Sequence, residues 1–596
     1  MLRYTCLSDF HGDSKVLFSA PQHKDLIPTR RQNRFGVTGV AVISDRMRDV
    51  LSLEFNVRQL RRFDWRKQAE RISPQLLIVE SFFSASGGWS TPILGNQWQI
   101  DLLEIMEHYR SQGLPIVFLD TVGPSFSALF KAQMSAADAV WSIEPESLDR
   151  KLDVNLFAPA AQTALFHPFG VWPCKTNGER RNILFDGWSD LRFLRGTLEP
   201  LLQVDDAELR IIDSNFVQYK NRRDQEPKFQ NQILGCVNLR AQAWHYRKAS
   251  VVLDPPGENR NQTLREWMVM EALACGVPVI TSGASHRLSD APGVTQAKND
   301  SDFCALTMAS LEDQFEREKL SLLAFRFAAG SNSISHRVAQ IFDTLGIIHS
   351  WQPTPKVSVI TPSCRPEKID NVVANFLRQT YEPLELLLVI NCSLSEIERK
   401  TIESRLARSG IRKYRLYVLD GERFTGDAMN IGVWNAEGRY CAKFDDDDSY
   451  GPNYVRDLVL SAETVSADLA GKPISYRVVG FEDDDRVLVV KRGTKPYRAV
   501  VLWMDRRFST PEWIMGNSIF ARRDLLLRVG FPERAYRCSD SGFFFRPELA
   551  ESRILVSDFF NLVVRRRSDK DTHTWRISDS DLLEGATARS IDEVFV

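Results

Sequence analysis

Apolar positions along the chain fall into short runs, separated by stretches with helical spacing. VTGVAVISD from Val37, PQLLIVES at 74–81, LPIVFLD at 114–120 and AADAVWSIE at 136–144 are bounded by polar, Gly or Pro residues. Such runs are strands buried on both faces, as parallel sheets require. Between them NQWQIDLLEIMEHYRSQG has helical periodicity and Gly113 as a C-cap. After HPFG at 167–170 the pattern restarts with RNILFDG, ELRIID, ASVVLDPP and GVPVITS. A third series follows: VSVITPS at 357–363, LELLLVIN, RLYVLDG and RYCAKFDDDD. From Ser475 to Asp505 the runs shorten, which predicts an antiparallel edge or insertion.

These restarts predict the organisation. Residues 1–36 are polar and unassigned, 37–170 form one α/β lobe, 171–346 a second, 357–576 a third domain, and 577–596 a polar tail. IIHSWQPTPK at 347–356 has two prolines and little periodicity, so a linker is expected there. No repeat of solenoid period is present.

Composition narrows the class. Of 596 residues, 43% are hydrophobic and 26% charged, which excludes a disordered or fibrous chain. The formal net charge of -1 gives no basic footprint, so no nucleic-acid partner is expected. No run approaches the ~18 apolar residues of a membrane span, and peripheral membrane contact stays open. The start, MLRYTCLSDFHGDSK, lacks a basic stretch followed by an apolar core, so no signal peptide is expected. Nine scattered cysteines without a CxxC point to reduced thiols in a cytoplasmic enzyme.

The densest chemistry is Asp445, Asp446, Asp447 and Asp448, directly after the apolar run Tyr440–Phe444. Adjacent carboxylates repel, and Mg²⁺ or Mn²⁺ offsets that repulsion using one or two carboxylates plus substrate phosphates. Asp445 and Asp447 are two apart, so extended chain puts them on one side. They also sit at the carboxyl end of a strand, where open α/β sheets bind ligands. The alternative is a solvated acidic loop, as expected for Asp483–Asp485 in GFEDDDRVLVV.

VSVITPSCRPE at 357–367, FLRQTYEPLELLLVI at 376–390, GDAMNIGVWNAEGRYCAKFDDDDSYGPNYV at 426–455, GNSIFARRDLLLRVGFPE at 516–533 and CSDSGFFFR at 538–546 resemble glycosyltransferase family 2. The resemblance implies a GT-A domain using a nucleotide-diphospho-sugar donor, with Mg²⁺ or Mn²⁺ held by Asp445 and Asp447 and with Asp448 alongside. It places Asp446, Asn430 and Gly432 near the donor, and Thr361 and Pro362 beside the nucleotide base. Asp540 matches the catalytic base, and His573 a histidine that completes metal or diphosphate contacts; a surface or core role for His573 stays open. Where relatives carry an aspartate for uracil, this chain reads VINCS, leaving Asn391 to meet the base edge.

Upstream, SVVLDPPGENRNQTLREWMVMEALACGVPVIT at 250–281 resembles the carboxyl lobe of GT-B glycosyltransferases. AVISDRMRDV, SFFSASGGW, GLPIVFLDTVGPSF and NILFDGWSD extend the likeness to the CgeB type over residues 37–345. The implied fold is α/β throughout: two Rossmann-like, GT-B-like lobes, then the GT-A domain. By that resemblance Glu271 contacts the donor ribose, Gly87 and Gly88 lie in the cleft, and Asp186 and Gly187 edge it. Lys248 and Arg265 are either phosphate contacts or solvated surface. Family 4 relatives have a second glutamate where Thr263 stands, and CgeB-like chains an arginine pair where Trp267 and Met268 stand.

The leading expectation is therefore a two-module glycosyltransferase acting on a glycan, lipid-linked or other glycoconjugate acceptor. A second keeps only the GT-A domain catalytic, with the first half binding ligand or acceptor. A third, an aspartate-nucleophile phosphatase, fits poorly, because such enzymes carry the motif on their first strand.

Overall fold

The structure, a computed structural model, describes residues 33–596 except 83, 91–96, 124–126, 150–151, 172–180, 187–193, 204–206, 213–226, 230, 236, 255–261, 283–286, 420–422, 475, 482–485, 492–498, 503–513, 534–538, 550–551 and 567–584. His573, Gly187 and Asp483–Asp485 lie outside the described residues. The chain divides into two compact units: Met1–Pro168 with Lys175–Trp351, and Phe169–Cys174 with Gln352–Val596.

The first unit holds two six-stranded parallel sheets. One runs in the order Asn56–Gln59, Thr38–Val42, Leu76–Glu80, Ile116–Asp120, Ala139–Ser142, Val154–Leu156. Every residue of Leu76–Glu80 and Ile116–Asp120 is buried, which accounts for their unbroken apolar text. The other sheet runs Ile233–Gly235, Ala207–Ile212, Arg181–Asp186, Val251–Asp254, Val279–Thr281, Val294–Gln296. Its order reverses beside Arg181–Asp186, so the strand ends at Asp186 and Asp254 flank the switch point, where open α/β sheets form a crevice. The helix Gln262–Ala274 crosses between the strands ending at Asp254 and Thr281, and Gly276, at φ +69°, closes it. One apolar core joins both sheets, from Leu51 and Trp141 to Leu184, Leu273 and Phe342.

The second unit is built on a nine-stranded sheet. Tyr414–Val418, Leu384–Ile390, Val357–Ser363 and Tyr440–Lys443 are parallel neighbours. Phe520–Arg522 then runs antiparallel to Tyr440–Lys443, followed by Leu469–Gly471, Arg553–Val556 and Ala499–Leu502. In a second sheet, Tyr476–Phe481 and Arg486–Lys491 pair antiparallel, which is the predicted change of rhythm. No helix among the described residues is long and apolar enough to cross a membrane.

Three boundaries differ from expectation. Gly170–Val171, expected at the junction of the first and second lobes, pairs parallel with Ala499–Leu502 in the second unit's sheet, where its backbone groups find ladder partners. The expected linker is partly docked. Trp351 stacks on Phe35 at 5.3 Å, and the Ser350 N–H donates to the Phe35 carbonyl, so 347–351 belong to the first unit. At the other end Lys356 and Pro355 accept hydrogen bonds from Arg439 and Tyr381. The polar tail is also structural: Thr587–Ser590 pairs with Arg486–Lys491, and a Ser590–Glu593 capping box starts Ile591–Val594.

Candidate active site

The strand Tyr440–Lys443 delivers the acidic run to the carboxyl end of the parallel strands. Phe444 stacks on buried Tyr450 at 3.9 Å, and the Tyr450 hydroxyl accepts the Asp445 N–H at 2.7 Å. Asn371 Nδ2 donates to the carbonyls of Asp446 (2.8 Å) and Asp448 (3.0 Å), and Asn375 Nδ2 to that of Asp448 (2.8 Å). Two asparagines of the helix Ile369–Leu377 thus fix the loop backbone and leave the carboxylates to other partners.

Each carboxylate is engaged, and two of the cations are shared between carboxylates. Lys443, 2% exposed, reaches Asp445 Oδ1 at 3.0 Å and Asp540 Oδ2 at 2.8 Å. Burial alone would lower the Lys443 pKa, but the two carboxylates outweigh it and raise it. Arg365 forks onto Asp446 through Nε and NH2 and reaches Asp447 through NH1 at 2.8 Å. Ser363 Oγ donates to Asp446 at 2.5 Å. Asp448 accepts from Asn517 Nδ2 at 2.5 Å and the Arg565 N–H at 2.9 Å. Burial, then the charges of Asp447 and Asp445, push the Asp448 carboxyl up to about 8. Asp445 is also raised, by burial first, with Lys443 opposing and Asp540 and Asp447 adding.

Asp540 lies in the short helix Ser539–Phe544, against Gly516; a Cβ there would come within 2.3 Å of its Oδ2. Its Oδ1 is buried and has no hydrogen-bond partner among the described residues. Among those residues no three His, Cys, Asp or Glu side chains stand grouped to hold an ion.

Residues 358–517 match the family model described as Glycosyl transferase family 2. Residues 358–517 are thus a glycosyltransferase family 2 domain, within the second unit. No curated protein matches the chain. Similar solved structures include S. aureus TarS in complex with UDP-GlcNAc, at 19% identity and TM-score 0.29, covering 38% of this chain and 64% of that one. Another is the mannosyltransferase PcManGT from Pyrobaculum calidifontis in complex with GDP-Man and Mn²⁺, at 17% identity and TM-score 0.28, covering 43% of this chain and 70% of that one. The chain spans less than two thirds of the length of that TarS chain.

The other expected site residues have these surroundings. Asn430 Nδ2 donates to the Phe531 carbonyl at 3.0 Å while its Oδ1 accepts the Phe531 N–H at 2.7 Å, so its amide clasps a distant backbone. Gly432 lies against Ile360, where a Cβ would come within 2.4 Å of a methyl group. Asn391 Nδ2 donates to the Arg423 carbonyl at 2.8 Å. Thr361 and Pro362 end the strand Val357–Ser363, and the buried Thr361 Oγ1 has no hydrogen-bond partner among the described residues.

In the first unit, Gly87 and Gly88, at φ +83° and +84°, turn the chain between Ser84–Ala85 and Trp89–Ser90. That left-handed pair accounts for both glycines. Asp186 Oδ2 accepts from Gln242 (2.7 Å) and the Tyr246 hydroxyl (2.6 Å). Glu271, 3% exposed, pairs with Arg46 from the other sheet's side of the crevice, and its Oε2 has no hydrogen-bond partner among the described residues. Burial raises Glu271 to about 6, with Arg46 opposing. Arg265 is not solvated surface: it forks onto Asp254 at 2.9 and 2.8 Å. The Lys248 carbonyl accepts from Asn182 at 2.9 Å.

Sequence reasoning passed over Arg365, Lys443, Asn517 and Arg46. Lys443 alone carried a usable signal: a lysine inside a strand-like apolar run needs a buried carboxylate.

Proposed function

We propose that the second unit transfers a sugar from a nucleotide-diphospho-sugar to a hydroxyl of a glycan, lipid-linked or other glycoconjugate acceptor, with inversion. The family 2 match supports the donor class. The observation that carries the mechanism is Lys443, which ties the acidic run to Asp540, 97 residues further along the chain. It holds Asp540 Oδ2, and Oδ1 remains to accept the proton of the attacking hydroxyl. A base so positioned contributes typically 10²–10⁴-fold.

Asp445 and Asp447, with side chains 31% and 26% exposed, are the donors for Mg²⁺ or Mn²⁺. Two carboxylates with phosphate oxygens and water are a usual ligand set for Mg²⁺. When bound, such an ion supplies positive charge for the leaving diphosphate. Asp448, expected beside them as a ligand, is instead an anchor: both its oxygens are engaged by Asn517 and the Arg565 N–H.

For the first unit we propose a second, GT-B-like transferase module, supported by its two parallel sheets and the buried Glu271 in the crevice. The Arg46–Glu271 pair favours a competing reading, a module that only binds ligand or acceptor.

One experiment separates these readings. In the full chain, Asp540→Asn should keep Mn²⁺ binding and lose inverting transfer by about 10²–10⁴-fold. An active variant, or wild-type product of retained configuration traced to the second unit, refutes the base assignment. Residual nucleoside diphosphate release that Glu271→Gln then removes assigns catalysis to the first unit, and no residual release leaves it a binding module.

A further inference from the structure

We infer that Arg365 is a resident counter-cation: it cedes Asp447 to the divalent ion and, still anchored by Asp446, offers its freed edge to the donor's phosphate. This rests on the proposed metal and donor site in the second unit.

The guanidinium is held in two unequal ways. Nε and NH2 form a fork on Asp446, which is 2% exposed. NH1 alone reaches Asp447, whose side chain is 26% exposed. The backbone adds to the first grip. Pro366 restricts the preceding residue to extended conformations, and Arg365 has φ −126° and ψ 89°. Its N–H donates to Ser363 Oγ at 3.1 Å, and the same hydroxyl donates to Asp446 at 2.5 Å. Ser363, Arg365 and Asp446 thus close a ring that does not involve Asp447.

A divalent ion on Asp447 meets a guanidinium on the same carboxylate. Two cations there repel, and the weaker, solvent-facing contact through NH1 is the one that yields. Arg365 does not leave with it, because the buried fork remains. The released N–H groups suit a phosphate oxygen, for which guanidinium geometry is well matched. Asp446, the residue between the two proposed metal carboxylates, then has a specific task. It keeps a phosphate-binding arginine beside the metal without ligating the metal.

The test uses the full chain with Mn²⁺ alone, followed by electron paramagnetic resonance of free Mn²⁺. Inorganic pyrophosphate is then titrated calorimetrically at saturating Mn²⁺. Arg365→Met and Arg365→Gln are both made, so that misfolding of one leaves the other. Arg399→Met, which removes an exposed arginine paired with Glu403, is the control. Both Arg365 variants should bind Mn²⁺ about tenfold more tightly and pyrophosphate about tenfold more weakly, while the control changes neither. A purely structural Arg365 would not tighten metal binding. Mn²⁺ affinity that is unchanged or weaker in both variants overturns the inference, as does unchanged pyrophosphate affinity. Wild-type protein that binds no Mn²⁺ overturns the metal assignment, and this inference with it.

Discussion

Lys443→Met removes the one ammonium that joins Asp445 to Asp540 while keeping a long apolar stem in the strand. Removing one partner of a buried ion pair costs about 3–5 kcal/mol, because the other charge is left uncompensated. Here the lysine is 2% exposed but the two carboxylates are 31% and 29% exposed, so water screens part of the loss. A discounted figure is about 2–3 kcal/mol. For a unit of this size that lowers the melting transition by roughly 4–10 °C. The measurement is calorimetry of the full chain in a chelator, at pH 7.5 and at pH 5.

The pH dependence has a definite sign. Asp445 and Asp448 have folded pKa values raised above 3.8, Asp448 to about 8. Folding therefore favours their protonated forms, so their effect on stability is best at low pH and worsens as pH rises through the folded values. Lys443 opposes the rise at Asp445. Without it that carboxyl rises further, and the deficit of Lys443→Met grows from pH 5 to pH 7.5. A variant that melts with wild type at both pH values, or whose deficit is larger at pH 5, would refute the assignment of Lys443 as the neutralising charge.

Two further outcomes follow from close contacts. Gly516→Ala places a methyl group 2.3 Å from Asp540 Oδ2, so the carboxylate must shift. Steady-state kinetics should show kcat reduced about 10²-fold or more with donor KM nearly unchanged. Asn430→Ala removes two hydrogen bonds to the Phe531 backbone and should destabilise the second unit by about 2–3 kcal/mol, with donor affinity kept in the folded protein. A tenfold loss of donor affinity without a melting shift would instead make Asn430 a donor contact.

What the sequence showed plainly was whatever depends on neighbours in the chain. Leu76–Glu80 and Ile116–Asp120 were legible because strands buried on both faces have no polar alternation to hide them. The acidic run was legible because four adjacent carboxylates have few bland uses. Gly170–Val171 was not, since a two-residue strand carries no periodicity and its partner lies beyond residue 490. Trp351 was misread because two nearby prolines suggested a linker, whereas its ring is fixed by stacking on Phe35, more than 300 residues earlier.

The cations of the site were harder for the same reason, and they decide what the carboxylates can do. Arg365 is 81 residues from Asp446, Lys443 is 97 from Asp540, and Arg46 is 225 from Glu271. A motif records which carboxylates are present, and only the fold records what holds each of them. Asp446 and Asp448 have the same chemistry as Asp445 and Asp447, yet the first is clamped by Ser363 and Arg365 and the second by Asn517 and a backbone N–H. Lys443 was the exception that local text could have exposed. It shares a strand face with Cys441, which sits in the apolar core, so an ammonium at that position must find carboxylates beyond the strand's end. The carboxylates immediately following it supply one partner. The fold supplies a second, Asp540, 97 residues further along the chain. The buried lysine announces a carboxylate partner in the sequence, and the fold alone makes Asp540 one of its two.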